Sequence, residues 1–261
     1  VLIKSLNIIP VIFITNSCIQ NIDSIHAIEL GKKISLLTNK IATSNHIKFS
    51  ELQIDCDWTT TTKENYFTLL RSVKSNLSAA TKLSATIRLY QIKFSAKAGI
   101  PPADRGLLMA YNMGNLKDPF STNSILETKE LKKYISKMQG YPLPLDVGLP
   151  LFNWKVLFRN NSFAGLIENM PDTFLKDQSI KNTFLNHYQF LHDTTLNGYF
   201  FFKGDVLRQE ESNYDEILSA EKIIFENLSG GDTRLALFHL DSLILKKYTQ
   251  NEMQTIYSGL R

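Results

Sequence analysis

Apolar, strand-like runs alternate with amphipathic helical stretches along the whole chain, and this alternation constrains the fold more than any other feature. Ile8–Thr15 (IIPVIFIT) is continuous and β-branched, the pattern of a strand buried on both faces. Asp23 is placed to cap a helix over Ile25–Asn39. Glu51–Trp58 predicts a strand, and Thr62–Leu77 a helix with Tyr66, Phe67, Leu69, Leu70 and Val73 on one stripe. Leu83–Phe94, Gly106–Asn112, Leu143–Trp154, Gly198–Leu207 and Arg234–Ile244 predict further strands, seven in all. Helices are expected over Ile125–Met138 (with Gly140 at the C-cap position), Asp172–His192, Tyr214–Leu228 and from Gln250 to Leu260. Trp154–Phe158 and Phe163–Ile167 fit a hairpin or an irregular excursion, and Gly230-Gly231 break the chain.

Such alternation predicts an α/β protein with a parallel sheet covered by helices. No G-x-G-x-x-G or G-x-x-x-x-G-K-[ST] follows a strand, so a nucleotide-binding sheet loses support. A (β/α)8 barrel takes roughly 250 residues and eight strands. The expectation is one barrel domain over residues 1–261. The chain opens on Val1 and runs almost directly into strand sequence, so the first barrel strand and any export signal are expected upstream. The Phe94–Arg105 connection is too short for a full crossover helix, so that unit is abbreviated.

Composition narrows the functional classes. With 29 basic and 25 acidic residues, the net charge of +4 is small and scattered, which argues against a nucleic-acid surface. Two cysteines, Cys18 and Cys56, exclude a disulfide framework and a Cys-rich zinc site. No apolar run reaches the roughly 18 residues of a membrane span. No cofactor motif, H-E-x-x-H or G-x-S-x-G is present, and nothing in the pattern specifies an oligomeric state.

Barrel active sites sit at the C-terminal ends of the strands. The predicted ends carry Asp55 and Asp57 with Trp58, then Arg88, Tyr111-Asn112, Trp154, Asp205, and His239 with Asp241. Gln53-x-Asp55-x-Asp57 has the period of a strand, so the three side chains share a face. Carboxylates two strand steps apart, about 6.6–6.8 Å between Cα atoms, repel, and enclosure raises the affinity of one for its proton. Arg88, in phase with Ser84 and Thr86, is expected to pair with Asp55, and Asp57 has the alternative of capping the next helix. Asp146, early in its strand, is expected to be structural.

Ile54-Asp55-Cys56-Asp57-Trp58 resembles the D-x-x-D-x-D-W-E segment of the family 18 glycoside hydrolases, the chitinase-like barrels. Asp55, Asp57 and Trp58 match the second Asp, the third Asp and the Trp; Leu52 replaces the first Asp, and Thr59 replaces the Glu that is the family's general acid. Over most of its length the chain also resembles a group of bacterial glycoside hydrolase-like barrel proteins of unknown function. The carrying stretches are IIPVIFITN, ELQIDCDWT, LSATIRLYQIK, GIPPADRGLLMAYNMG, YPLPLDVGLPLFNW and FFFKGDVLRQEE. That resemblance implies the barrel and an exported location.

Two functions follow as expectations. One is a glycosidase in which Asp57 stabilises positive charge on the sugar or orients a substrate acetamide, Asp55 tunes Asp57, Arg88 holds Asp55, and Asp205 or Asp241 supplies the acid. The other is a glycan-binding barrel that has lost its acid at Thr59. In both, the partner is a carbohydrate, and Trp58, Arg88, Tyr111, Asn112, Trp154 and His239 are candidate contacts. Trp58 and Trp154 offer ring faces for sugar stacking, or pack beneath loops. Chelation of Ca²⁺ or Mg²⁺ by Asp55, Asp57 and Asp241 is a weaker third reading. His187 and His192 have no matching partners and are assigned no role.

Overall fold

The structure, a computed structural model, describes residues 6–167, 170–228 and 231–259. Val1, Gly230 and Leu260, all used above, lie outside the described residues. The chain divides into two compact units.

The first unit comprises residues up to Met109, Tyr134–Val147 and Asn227–Leu235. It holds β1 (Val11–Phe13), α1 (Asn16–Gln20), α2 (Ser24–Ser44), β2 (Glu51–Asp55), α3 (Lys63–Ser75), β3 (Lys82–Arg88), α4 (Leu89–Lys93), α5 (Ser95–Ala98) and β4 (Arg105–Met109). The strand β5 (Leu145–Pro150) begins there. β1 pairs parallel with β2, β2 with β3, and β3 with β4. Asp23 caps α2 as expected, its carboxylate accepting from the His26 amide at 2.9 Å. The predicted stripe on α3 is buried: Tyr66, Leu69, Leu70 and Val73 are fully enclosed. α3 packs on α2 at Gly31, where a Cβ would lie 2.7 Å from the Ser72 Cβ, so glycine permits the close approach.

The ion pairs at the start of these strands are structural, as expected for Asp146. Arg105 Nε lies 2.9 Å from Asp146, and Arg234 binds both Asp146 and Glu51. Glu51 and Asp146 are each 4% exposed, so their charges depend on these guanidinium partners.

The second unit comprises Ala110–Lys133, Gly148–Glu226 and the chain from Ala236. It holds α6 (Thr128–Leu131), β6 (Asn153–Arg159), β7 (Ser162–Ile167), β8 (Ile180–Phe184), β9 (His187–Phe190), β10 (Thr194–Leu196), β11 (Tyr199–Phe201), β12 (Val206–Glu211), α7 (Tyr214–Asn227), β13 (Leu235–Phe238), α8 (Ser242–Leu245) and α9 (Gln250–Ser258). One sheet runs β1-β2-β3-β4-β5-β13, and an antiparallel sheet runs β7-β6-β12-β9-β8.

Several expectations are corrected. The helix expected over Asp172–His192 is a 3-10 turn followed by β8 and β9. Its Thr, Phe, Tyr and His residues favour a pleated surface, and Phe174 and Phe190 join Ile167, Met170, Phe201 and Leu207 in a local core. Helix Ile125–Met138 shrinks to α6 and a 3-10 turn at Ile135–Lys137. The strand expected over Gly198–Leu207 splits into β11 and the start of β12, so six strands rather than seven form the first sheet. β3 ends at Arg88, which puts Tyr90 and Gln91 on α4. The last strand stops at Phe238, because Asp241 starts a helix.

Candidate functional site

In the first unit, β2 delivers Asp55, and Asp57 follows two residues on. The Thr86 hydroxyl donates to Asp55 Oδ1 at 2.6 Å. Arg88 grips Asp57 with both arms of its fork, Nε to Oδ1 at 2.6 Å and Nη2 to Oδ2 at 2.7 Å. The expected Arg88–Asp55 pair is therefore corrected to Arg88–Asp57. The guanidinium lies beyond the strand end, where Asp57 is, and a neighbouring strand hydroxyl meets Asp55. Nor does Asp57 cap a helix, since Thr62 occupies the N-cap position of α3. Burial pushes the Asp55 carboxyl above the ordinary aspartate range; the Thr86 bond opposes this, the Asp57 charge adds to it, and Arg88 opposes it again.

Trp58 is fully buried, against the expectation of a rim ring. It stacks on Tyr66 at 5.1 Å between centroids, and its Nε1–H donates to the Ala98 carbonyl at 3.0 Å. Thr59 sits in a hydroxyl-rich turn: its amide donates to Thr62 Oγ1 at 2.9 Å, and its own hydroxyl lies 2.9 Å from that of Thr61. Beside it, Thr60, Tyr90, Phe94 and Lys97 line a cavity of about 350 Å3.

The second unit contains a cavity of about 570 Å3, a size suited to a small organic ligand. Of the candidates, Asn112, Trp154, His239 and Asp241 line it. Tyr111 stands behind the wall and stacks flat on Phe238 at 5.3 Å and 9°. Phe152 meets Tyr111, Trp154, Phe238 and His239 at centroid distances of 5.2–6.4 Å, so five rings form one cluster. Phe238 keeps 49% of its surface exposed and lines the cavity.

The candidate acids of this unit and Asp172 in the cavity wall are engaged. Asp241 caps α8, accepting from the Leu243 and Ile244 amides at 2.7 and 3.0 Å, and those bonds hold its carboxyl below the usual range. Asp172 takes Lys155 at 2.7 Å and Lys247 at 3.0 Å; burial alone would raise its carboxyl, but the two ammonium groups hold it low. Asp205 is corrected from a rim acid: it is 2% exposed, bound by the Arg159 fork at 2.9 and 2.8 Å and by the Phe202 amide at 3.0 Å. Among the described residues, no cluster of three or more His, Cys, Asp or Glu side chains is placed to hold a metal.

Sequence reasoning missed Phe152, Phe238, Lys155, Asp172 and Lys247 in the cavity wall. Phe238 directly precedes the candidate His239, but strand phase pointed to residues 239 and 241. Glu210, in the charged run Arg208–Glu211, is 1% exposed.

No protein-family model matches the chain, and no curated protein matches it. Solved structures do. The spore cortex-lytic enzyme SleL of Bacillus cereus is 18% identical with a TM-score of 0.51, covering 92% of this chain, which spans 60% of that enzyme. A class V chitinase from Pseudomonas fluorescens is 12% identical with a TM-score of 0.55, over 99% of this chain and 82% of the other. A class V chitinase variant from Nicotiana tobaccum, in complex with NAG4, is 12% identical with a TM-score of 0.51, over 97% and 80% of the two chains. The fold is the chitinase-like (β/α)8 fold. In this chitinase-like fold the described residues contain no helix long and apolar enough to cross a membrane.

Proposed function

We propose that the chain binds a glycan in the cavity of the second unit and does not cleave it. The observation that carries this reading is the five-ring cluster, whose half-exposed Phe238 lines the cavity together with Asn112, Asn153 and His239. A pyranose has apolar C–H faces and a polar rim, so it suits a ring face bordered by amide and imidazole groups. The chitinase-like fold supports the choice of ligand class, and the tetrasaccharide held by the tobacco enzyme suggests a first probe. The absence of cleavage is supported by Thr59 at the position of the family's acid and by the Arg88 fork on Asp57.

Hydrolysis is the second reading, and the neighbouring pair Asp55 and Asp57 favours it, because burial pushes Asp55 upward while Arg88 binds Asp57, and carboxyls in unlike settings can divide acid and base roles. Titration calorimetry with tetra-N-acetylchitotetraose and a reducing-sugar assay separate the two. Binding without product is expected. Phe238→Ala is expected to weaken binding by about 2 kcal/mol, roughly thirtyfold. Equal affinity in that variant, or no affinity in the wild type, overturns the binding site. Product release that disappears in Asp55→Asn selects the second reading.

A further inference from the structure

Glu210 lies on β12 directly opposite Trp154 on β6. Three donors converge on its Oε2: the Trp154 indole Nε1–H at 2.8 Å, the Ser124 amide at 2.9 Å and the Ser124 hydroxyl at 2.6 Å. Arg208 Nε donates to Oε1 at 2.5 Å. Both residues of this pair are enclosed, Glu210 at 1% and Arg208 at 0% exposure.

The same side chains fix the connection between Asn112 and Glu127, which has no helix or strand of its own. Arg208 donates to the Leu116 carbonyl at 3.0 Å and also to that of Asp118. Asn186 donates to the Thr122 carbonyl at 2.7 Å, and His187 Nε2 lies 2.9 Å from the Pro119 carbonyl. Asn112, at the head of this connection, and Trp154 both line the cavity. One carboxylate therefore touches both a ring of the wall and the segment that carries a polar group of the wall.

We propose that Glu210 is the positioning residue of this cavity, holding the Trp154 indole and the Ser124 end of the Asn112–Glu127 connection in the arrangement that receives a sugar. The proposal rests on the glycan-binding reading for its ligand but not for its geometry. A carboxylate suits the place because both its oxygens receive N–H donors; an amide there would have to turn its NH2 either toward the Arg208 Nε–H or toward the Trp154 and Ser124 N–H groups. An indole fixed by its own N–H cannot rotate out of the wall, so less freedom is lost when a ligand arrives.

The test is NMR of the full chain with 15N-labelled tryptophan. It has two tryptophans, and the Trp58 indole, bonded to Ala98, serves as the internal control for folding. In Glu210→Gln the Trp154 indole N–H is expected to move upfield and exchange faster while that of Trp58 stays in place. The Kd for tetra-N-acetylchitotetraose is expected to rise about tenfold. Trp154→Phe keeps a ring but removes the donor, and it is expected to weaken binding to a similar degree. An unmoved Trp154 resonance in Glu210→Gln, or wild-type affinity in Trp154→Phe, overturns the proposal. A wild type that ignores the sugar sinks the binding reading instead, and the indole resonances then decide alone whether Glu210 orients the ring.

Discussion

The two units divide their chemistry unevenly. The first has two neighbouring strand-end carboxylates, Asp55 and Asp57, with surface still open to solvent, but its tryptophan is sealed in the core. The second has ring faces around a cavity, yet the carboxylates lining it are already engaged by lysines or backbone amides. Binding asks for exposed rings and fixed polar groups. Cleavage asks for an acid free to exchange its proton. The second unit has rings and fixed polar groups at its cavity, and in the first unit Thr59 carries a hydroxyl and no carboxyl.

The largest expected effect sharpens this contrast. Arg208→Met leaves the buried Glu210 without its cation and is expected to cost about 3–5 kcal/mol in urea unfolding. A loss near zero would mean that the second unit's carboxylates do not depend on their partners. Glu221 tests the contrast from the other side. It is buried on α7, its Oε1 has no hydrogen-bond partner among the described residues, and burial pushes its carboxyl up to about 7. The folded protein holds that proton more tightly than the unfolded chain does. Stability is therefore expected to fall as pH rises from about 4.5 to about 7 and to level off above, by up to about 3 kcal/mol. Glu221→Gln is expected to remove that decline in urea unfolding at pH 5 and pH 8; an unchanged decline assigns it to other groups.

The smallest effect belongs to the first unit. Arg88→Gln is expected to cost about 1 kcal/mol or less, since Asp57 is part-exposed. Because the Arg88 charge opposes the upward shift of Asp55, its removal is expected to raise that carboxyl further, read by 13C titration. A downward move would show that Arg88 does not act on Asp55 as a charge.

The legible part of the fold follows from period. The α3 stripe, the Asp23 cap and the strand β2 were readable because burial on one face or on both leaves a pattern in consecutive residues. Segment 172–192 was not, since its apolar residues fit helical spacing as well as strands and its core partners lie elsewhere in the chain. The same limit applies to the site. Adjacent acids can be seen in a sequence. The burial of Glu210 cannot, because the donors that enclose it come from positions 124, 154 and 208, and only Arg208 is a near neighbour. Trp58 looked like a rim residue because its packing on Tyr66 is set by α3.

Lys155 carries a consequence for the cavity wall. Its ammonium, 1% exposed, plugs into the Met170 carbonyl and Asp172 at 2.7 Å each, so the strand holds the opposite bank of the cleft at the length of one side chain. Spreading that gap would leave a buried ammonium without its acceptors. The bond pair thus acts as a tie across one side of the cavity wall, and the wall resists widening there.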